Sequence, residues 1–347
     1  MGSVALILTA SLVLWLAGFH FLARIWPGHQ AAPQSHLPHP LSIIVPARNE
    51  EHNLTALLRS INAQSVRPLE VLVVDDASTD RTAEVARSLG ATVLTSQPLP
   101  EGWRGKAWAC QQGANSARGN VLLFVDADTW FEVDGLQRIL NSYISGALSV
   151  GPHHAVRRPY EQLSIFFNLI MAVSTVPHGL FGQMLLVDRE SYLRAGGHEA
   201  AKGRVLENFC LAKTFRHAGI PVRSRTGPGE ISFRMYPHGL AEVIEGWTKG
   251  FSSGAQQTPK PLLLLIVAWL SGMMLPIGLL QSSPWAYMLY LLYAAQLGVM
   301  FRRIGSFRWY TALLYPLPLL FFFAIFSWSA LRSGRKVVWK GRSIYAD

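Results

Sequence analysis

The chain has 347 residues, is 50% hydrophobic and 15% charged, and carries a net charge of +10. Soluble domains are usually about a quarter charged, so the composition excludes a disordered or wholly soluble chain and equally one confined to a membrane. What remains is a water-soluble domain joined to membrane helices.

The basic excess sits at the ends. Residues 251–347 hold nine Lys or Arg and one acid, and residues 1–40 hold Arg24 and no acid, leaving 21 basic and 20 acidic residues over 41–250. A nucleic-acid binder would concentrate its excess on the folded domain. Here it flanks apolar runs, as membrane-adjacent Lys and Arg do. The partner read from this pattern is a membrane and not a nucleic acid. Cys110 and Cys210 form no metal-type pair and read as buried thiols of a reducing compartment.

Val4–Ala23 is an apolar run of about twenty residues, long enough to cross a bilayer at about 1.5 Å per residue. Met1-Gly2-Ser3 lacks the basic start of a cleaved signal, so residues 1–25 are expected to be an uncleaved anchor, with 26–40 as a linker. From residue 41 the pattern alternates. Leu41–Val45, Leu69–Asp75, Ala91–Thr95 and Val121–Val125 read as strands, separated by helical spacing over Glu50–Ala63, Thr79–Leu89 and Lys106–Ala117. Ser78, Thr79 or Asp80 is expected to cap the second helix. Fully apolar strands alternating with helices imply an α/β fold, a mostly parallel sheet sandwiched by helices.

Ligands of such sheets bind beyond the C-terminal strand ends. Three polar clusters fall there: Pro46 to Glu50, Asp75 to Ser78, and Asp126-Ala127-Asp128. Asp126 and Asp128 are hard oxygen donors suited to Mg²⁺ or Mn²⁺ carrying a diphosphate; a solvated turn is the structural alternative. Asp76 is expected to accept from a base or ribose and Asp75 to be structural, as in a helix cap. No GxGxxG or GxxxxGK[ST] pattern accompanies these strands, so Rossmann and P-loop chemistry lack support.

Leu240–Phe251 has apolar residues at 240, 243, 244, 247 and 251, a helical face that packs under the domain or lies in the membrane surface. The soluble domain is expected over 41–255 and a membrane region over 256–347, with apolar runs at 261–280, 284–301 and 309–331 and a basic tail. Gln281-Ser282-Ser283 makes a tight turn, so the first two runs read as a hairpin that crosses and returns. Arg302, Arg303 and Arg308 mark a cytoplasmic loop. Pro316 and Pro318 break the middle of the third run, which is expected to be re-entrant or interfacial and to leave the tail inside.

Ile43 to Glu50, Val73 to Asp80, Gly105-Lys106-Ala107 and Asp126-Ala127-Asp128 together resemble the family 2 glycosyltransferases with the GT-A fold. The resemblance implies an inverting, metal-dependent transfer of a sugar from a nucleotide sugar. It places Pro46, Arg48, Glu50 and Asp76 around the nucleotide, Lys106 beside it, and Asp126 and Asp128 at the ribose, diphosphate and metal. Gly102 to Lys106, Phe166 to Leu169, Gly196-Gly197-His198, Leu206 to Phe209, Phe233 to Tyr236 and Glu245 to Phe251 are more narrowly similar to the bacterial carotenoid glycosyltransferases. That similarity implies UDP-glucose as donor, a carotenoid acid as lipid acceptor and a glycosyl ester as product. It also implies a bacterial cell membrane with the catalytic domain cytoplasmic, and leaves room for pigment-pathway enzymes as partners. A polyprenyl phosphate or hopanoid hydroxyl is the rival acceptor, and a non-catalytic nucleotide-sugar-binding scaffold the rival of another class.

The chain departs from the broad family at its base. Many members carry an acidic pair before a helix, and here the pair is Glu207-Asn208. An amide cannot take a proton. Either Glu207 is the base or none is needed, because a carboxylic acid of pKa about 4 is already ionised at neutral pH. On the second reading Asn208→Asp is expected to change esterification little. Glu207, Asn208 and Asp128 are the expected catalytic residues, a helix cap being the structural alternative for the pair. His198, Arg234, Trp247 and Lys249 are assigned to the diphosphate or the acceptor, and His153, His154 and His178 are further ligand candidates. A Gln-x-x-Arg-Trp motif of processive relatives is absent, against a polymer synthase.

Overall fold

The structure, a computed structural model, describes residues 2–26, 40–204, 207–248, 257–332, 336–339 and 342–345. The chain divides into two units: Gly28–His153 with Thr175–Arg234, and Met1–Pro27 with His154–Ser174 and Met235–Asp347.

The first unit is built on a sheet of eight strands, β1 (Leu41–Ala47), β2 (Glu70–Asp75), β3 (Thr92–Thr95), β4 (Val121–Val125), β5 (Thr129–Phe131), β6 (Ala147–His154), β7 (Met184–Asp188) and β8 (Val222–Phe233), in the order β3-β2-β1-β4-β7-β6-β8-β5. The strands β3, β2, β1 and β4 run parallel, as their alternation with helices requires. Past β4 the pairing turns antiparallel, β7 with both β4 and β6, and β5 with β8.

Successive strand residues bury in two different cores. Ile43, Val45, Val73, Leu123 and Val125 cluster with Leu54, Leu57, Leu58 and Ile61 of helix Glu51–Asn62. Ile44, Leu72, Val74, Leu122 and Phe124 cluster with Ala109, Cys110 and Ala114 of helix Gly105–Ser116. Each buried aliphatic side chain is worth about 1.5–3 kcal/mol, and a one-residue slip would exchange the two sets. The face of helix Gly105–Ser116 is small for a reason: a Cβ on Gly113 would lie 2.4 Å from Ile44 Cγ2. That close approach brings Lys106, in its first turn, to the strand ends.

The second expected helix begins at Thr82, with Arg81 in the cap position making no side-chain cap bond. Asp80 is used differently. Its carboxylate accepts from Thr82 N at 3.0 Å and Glu51 N at 3.2 Å, tying the loop after β2 to the one after β1.

The second unit is mainly helical, with Gly2–Ile25, Ile165–Thr175, Leu240–Thr248, Lys260–Gly278, Pro284–Ile304, Trp309–Leu313 and Pro316–Arg332, and an antiparallel pair of short strands, Lys336–Trp339 and Arg342–Tyr345. Several hydrogen bonds tie its helices together from inside. Ser11 Oγ donates to Gly272 O at 3.0 Å, Tyr293 OH to Ser11 O at 2.9 Å, and Trp15 Nε1 to Leu292 O at 3.1 Å. Gln296 donates to Trp15 O at 3.1 Å and accepts from Trp269 Nε1 at 3.2 Å. Its outside is apolar, with Leu6, Leu264 and Leu331 each at least 70% exposed. The N-terminal helix is therefore stitched into this bundle.

Ser3–Ile25 and Lys260–Gly278 are long and apolar enough to cross a membrane; Pro316–Leu331 is apolar but shorter. Pro284–Ile304 has the length, 21 residues, but carries Tyr287, Tyr290, Tyr293 and Gln296. The break in the last run falls at Leu314-Tyr315. Pro316 and Pro318 do not interrupt its middle; they stand in the first turn of the following helix, where a missing N–H costs nothing. His154–Ser174 and the residues from Met235 group with the helices, not with the α/β unit. The reason is aromatic: Phe166 lies 5.9 Å from Phe301, and Phe167 stacks on Trp247 at 4.6 Å, ring centre to ring centre.

Candidate active site

The loops after β1 and β2 are laced together. Arg48 Nη1 donates to Asp76 O at 2.9 Å and lies 3.8 Å from its carboxylate. Asn49 N donates to Ser78 Oγ at 3.0 Å, Thr79 N to Asn49 Oδ1 at 2.8 Å, and Glu50 N to Thr82 Oγ1 at 2.8 Å. Asn49 and Ala77 take positive φ, 54° and 53°, a conformation that non-glycine residues rarely hold without such ties. Asp75 accepts from Ser78 N at 3.2 Å, a local turn. Asp76, the neighbour expected at the ligand, is buried beside Arg48.

After β4 the chain turns at once. Thr129 N and Oγ1 both donate to Asp126 O, at 3.2 and 2.8 Å. The turn sets both acids at the strand end, within each other's field. Asp128 Oδ1 is buried without a hydrogen-bond partner. Burial, and after it the charges of Asp126 and Glu50, push its carboxyl up to about 7. Glu50, at the end of the β1 loop, is thus the third acid sensed there.

Lys106 is the hub. Its Nζ lies 2.7 Å from Asp126 Oδ1, donates to Asp126 Oδ2 and Gly182 O at 2.8 Å each, and lies 3.5 Å from Glu207 Oε1. Burial opposes its charge, but Asp126 and Glu207 overcome this and hold the ammonium well above its ordinary value. Asn208 sits in the first turn of helix Glu207–His217, and its Nδ2 donates to Leu180 O at 2.6 Å. This changes the expectation for Asn208→Asp. The substitution would set a carboxylate against a carbonyl oxygen, so it disturbs the helix start whatever the chemistry.

Lys106, Asp126, Glu207 and Asn208 line a cleft with Pro46, His198 and an apolar wall that includes Phe124, Leu180 and Phe181, while Arg48, Glu50, Asp76 and Asp128 stand outside this lining. His198 is buried, not a surface-loop residue. Its Nδ1 lies 2.9 Å from Tyr192 OH, and its backbone N–H donates to the same oxygen at 3.1 Å. Burial, then the charge of Lys106, depress its pKa to about 3, so the imidazole is neutral.

Other expected residues lie elsewhere. His154 is buried in the helical unit, Nδ1 2.9 Å from Asn168 Nδ2 and its ring 5.5 Å from Phe307. His178 is exposed, and neither it nor His153 lines the cleft. Arg234 is half-buried beyond β8. Trp247 is buried in the helical unit, its Nε1 donating to Ser164 Oγ at 3.1 Å. Lys249 lies outside the described residues. Sequence reasoning missed the contact of Lys106 with Glu207, a hundred positions apart, and the Leu180–Gly182 wall, an apolar stretch with no motif to mark it.

Among the described residues no three His, Cys, Asp or Glu side chains are gathered to hold a metal by themselves. Mg²⁺ and Mn²⁺ that arrive with phosphates need only one or two carboxylates. The buried, unpartnered Asp128 Oδ1 beside Asp126 fits such an ion.

Residues 42–162 match Glycosyl transferase family 2. Over 328 residues the chain is 39% identical to 4,4'-diaponeurosporenoate glycosyltransferase of Staphylococcus aureus (strain USA300), covering 87% of each chain; the protein of strain MRSA252 gives the same values. Among solved structures it is similar to the mannosyltransferase PcManGT from Pyrobaculum calidifontis in complex with GDP-Man and Mn²⁺. The TM-score is 0.54 at 20% identity, covering 94% of this chain and 98% of that one.

Proposed function

The chain belongs to glycosyl transferase family 2 and is a glycosyltransferase, and on that premise we propose that it transfers glucose from UDP-glucose to the carboxylate of a carotenoid acid at a bacterial cell membrane. The observation that carries this reading is the cluster Lys106, Asp126, Asp128 and Glu207 at one end of the parallel strands.

Pro46, Arg48, Glu50 and Asp76 hold the nucleotide where the two laced loops form a rigid rim. Asp126 and Asp128 would hold Mg²⁺ or Mn²⁺, which supplies charge for the diphosphate as it departs. Lys106 adds a fixed ammonium to the same end of the cleft. The acceptor carboxylate oxygen attacks the anomeric carbon from the face opposite the diphosphate. The new C–O bond forms as the old one breaks, and its electron pair leaves with UDP. No proton is taken, so the site needs no free base. The residues at the expected base position agree with this: the Asn208 amide is spent on Leu180 O, and the Glu207 carboxylate is paired with Lys106. Neutral His198 offers the sugar a hydrogen-bonding edge.

A carotenoid does not leave the bilayer, and the helical unit suits that setting. Ser11, Tyr293 and Gln296 make their hydrogen bonds inside it while Leu, Val, Trp and Met side chains lie on its outside, the arrangement lipid demands. Arg24, Arg302 and Arg303 stand in the last turns of their helices and Arg308 just beyond, ends that are cytoplasmic by the charge rule.

Membranes bearing the protein, incubated with a series of UDP-sugars, should yield a hexosylated lipid by mass spectrometry with UDP-glucose, and mild alkali should cleave it as an ester. An alkali-stable product would move the acceptor to a hydroxyl; no product with any UDP-sugar would overturn the donor.

A further inference from the structure

The last apolar run enters and leaves the bundle at the same end. One end is marked by Arg303, whose guanidinium lies 3.5 Å over the Trp26 ring, and by the bridge between Gly305 and His154. The opposite end is the turn at 279–283, where Ser282 N donates to Leu279 O at 2.9 Å. From Gly305 the chain starts at the first end, with Arg308 N donating to Gln162 Oε1 at 3.2 Å and Thr311 Oγ1 to the same oxygen at 2.6 Å. It then goes inward. Leu313 O accepts from Tyr290 OH, and Tyr315 OH donates to Met273 O at 2.9 Å. Tyr290 and Met273 are 14 and 13 residues along their helices from the marked end, or ~20 Å at 1.5 Å per residue.

Helix Pro316–Arg332 comes back. Phe322 meets Phe166 at 6.4 Å and Phe167 at 4.9 Å, and Phe166 in turn meets Phe301, three residues from the end of its helix. Seven residues further on, Ser329 Oγ donates to Thr248 O at 2.8 Å. The return helix exposes Leu317, Leu320, Trp328 and Leu331.

We propose that residues 305–332 form a re-entrant hairpin whose tip, Leu313–Tyr315, stops inside the bilayer short of its far side, so that its exposed face meets acyl chains without crossing to the opposite surface. This rests on the reading that the helical unit lies in a bilayer. Its consequence is that Leu331, at the end of the return helix, lies on the side where Arg302 and Arg303 lie. The five-residue helix Trp309–Leu313 and the prolines at 316 and 318 are what such a tip needs: a short descent, then a helix restarted without N–H groups to satisfy.

The test uses the full chain with single added cysteines, S282C, S306C, L314C and L331C, and the parent chain as background for Cys110 and Cys210. A membrane-impermeant maleimide is applied to right-side-out and to inverted vesicles. S306C and L331C should label in one orientation, S282C in the other, and L314C in neither. Labelling of L331C together with S282C makes the run a full span and overturns the hairpin. Labelling of L314C together with S306C makes it lie flat at the interface and overturns it too. Labelling of S282C and S306C from the same side, or release of the parent chain by alkaline carbonate, removes the bilayer reading itself and the hairpin with it.

Discussion

The Asp128 carboxylate is uncomfortable where it stands: its Oδ1 is buried with no donor, and the charges of Asp126 and Glu50 act on it. Such a group destabilises the fold until a cation meets it. Asp128→Asn should therefore melt at or above the parent in chelator, and lose the rise in melting temperature that Mn²⁺ gives the parent, while activity falls on the order of 10²-fold or more. The pH dependence has a definite sign. The folded carboxyl titrates near 7 and the unfolded one near about 4, so between these values the metal-free native state holds a proton that the unfolded chain has released. Stability of the parent relative to Asp128→Asn then rises as pH falls through 7. Melting curves at several pH values in chelator check this; a constant difference would contradict it.

Glu207 separates the two acceptor classes. If the acceptor arrives as a carboxylate, Glu207→Gln keeps transfer within about tenfold, because no base is lost; a hydroxyl acceptor would lose about 10²–10⁴-fold. Rates with the purified variant decide. Lys106→Met, in contrast, strips the counter-charge from Asp126 and Glu207 together, and kcat/KM should fall by at least about 10²-fold under either acceptor. Asp126 and Asp128 stood out in the sequence as a cluster at a strand end, and Lys106 entered only through the family resemblance. Their joining to Glu207 was not legible, because it is made by packing of helix Glu207–His217 and not by spacing along the chain.

At the level of elements, the four parallel strands and the helices between them stand within a few residues of where apolar runs and helical spacing put them. The largest shift is the helix at Thr82, delayed because Asp80 serves two loops instead of a helix terminus. The N-terminal helix is held by Gln296 and by close approach at Gly18, where an added Cβ would lie 2.1 Å from Gln296 Oε1. Gly18→Leu should push that helix off its neighbours and cost about 1–3 kcal/mol, read as a lower melting temperature of the detergent-solubilised protein. A melting temperature equal to the parent's would mean that this contact contributes nothing.

Across the whole molecule, hydropathy and charge identified two kinds of region, but not how segments are shared between them. His154–Ser174 stands inside the α/β stretch of the sequence and belongs with the helices, because Phe166 and Phe167 find their aromatic partners there. Beyond β4 the strand order leaves the chain order: β7, some sixty residues on, lies between β4 and β6. Nothing local encodes such a pairing. The proposed reaction joins a nucleotide-linked sugar to an ionised lipid acid without a base. The measurement that tests it most directly compares transfer of labelled glucose from UDP-glucose to a carotenoid acid and to the corresponding alcohol. The expected result is label in the acid as an alkali-labile ester and none in the alcohol. Label in the alcohol alone would contradict it.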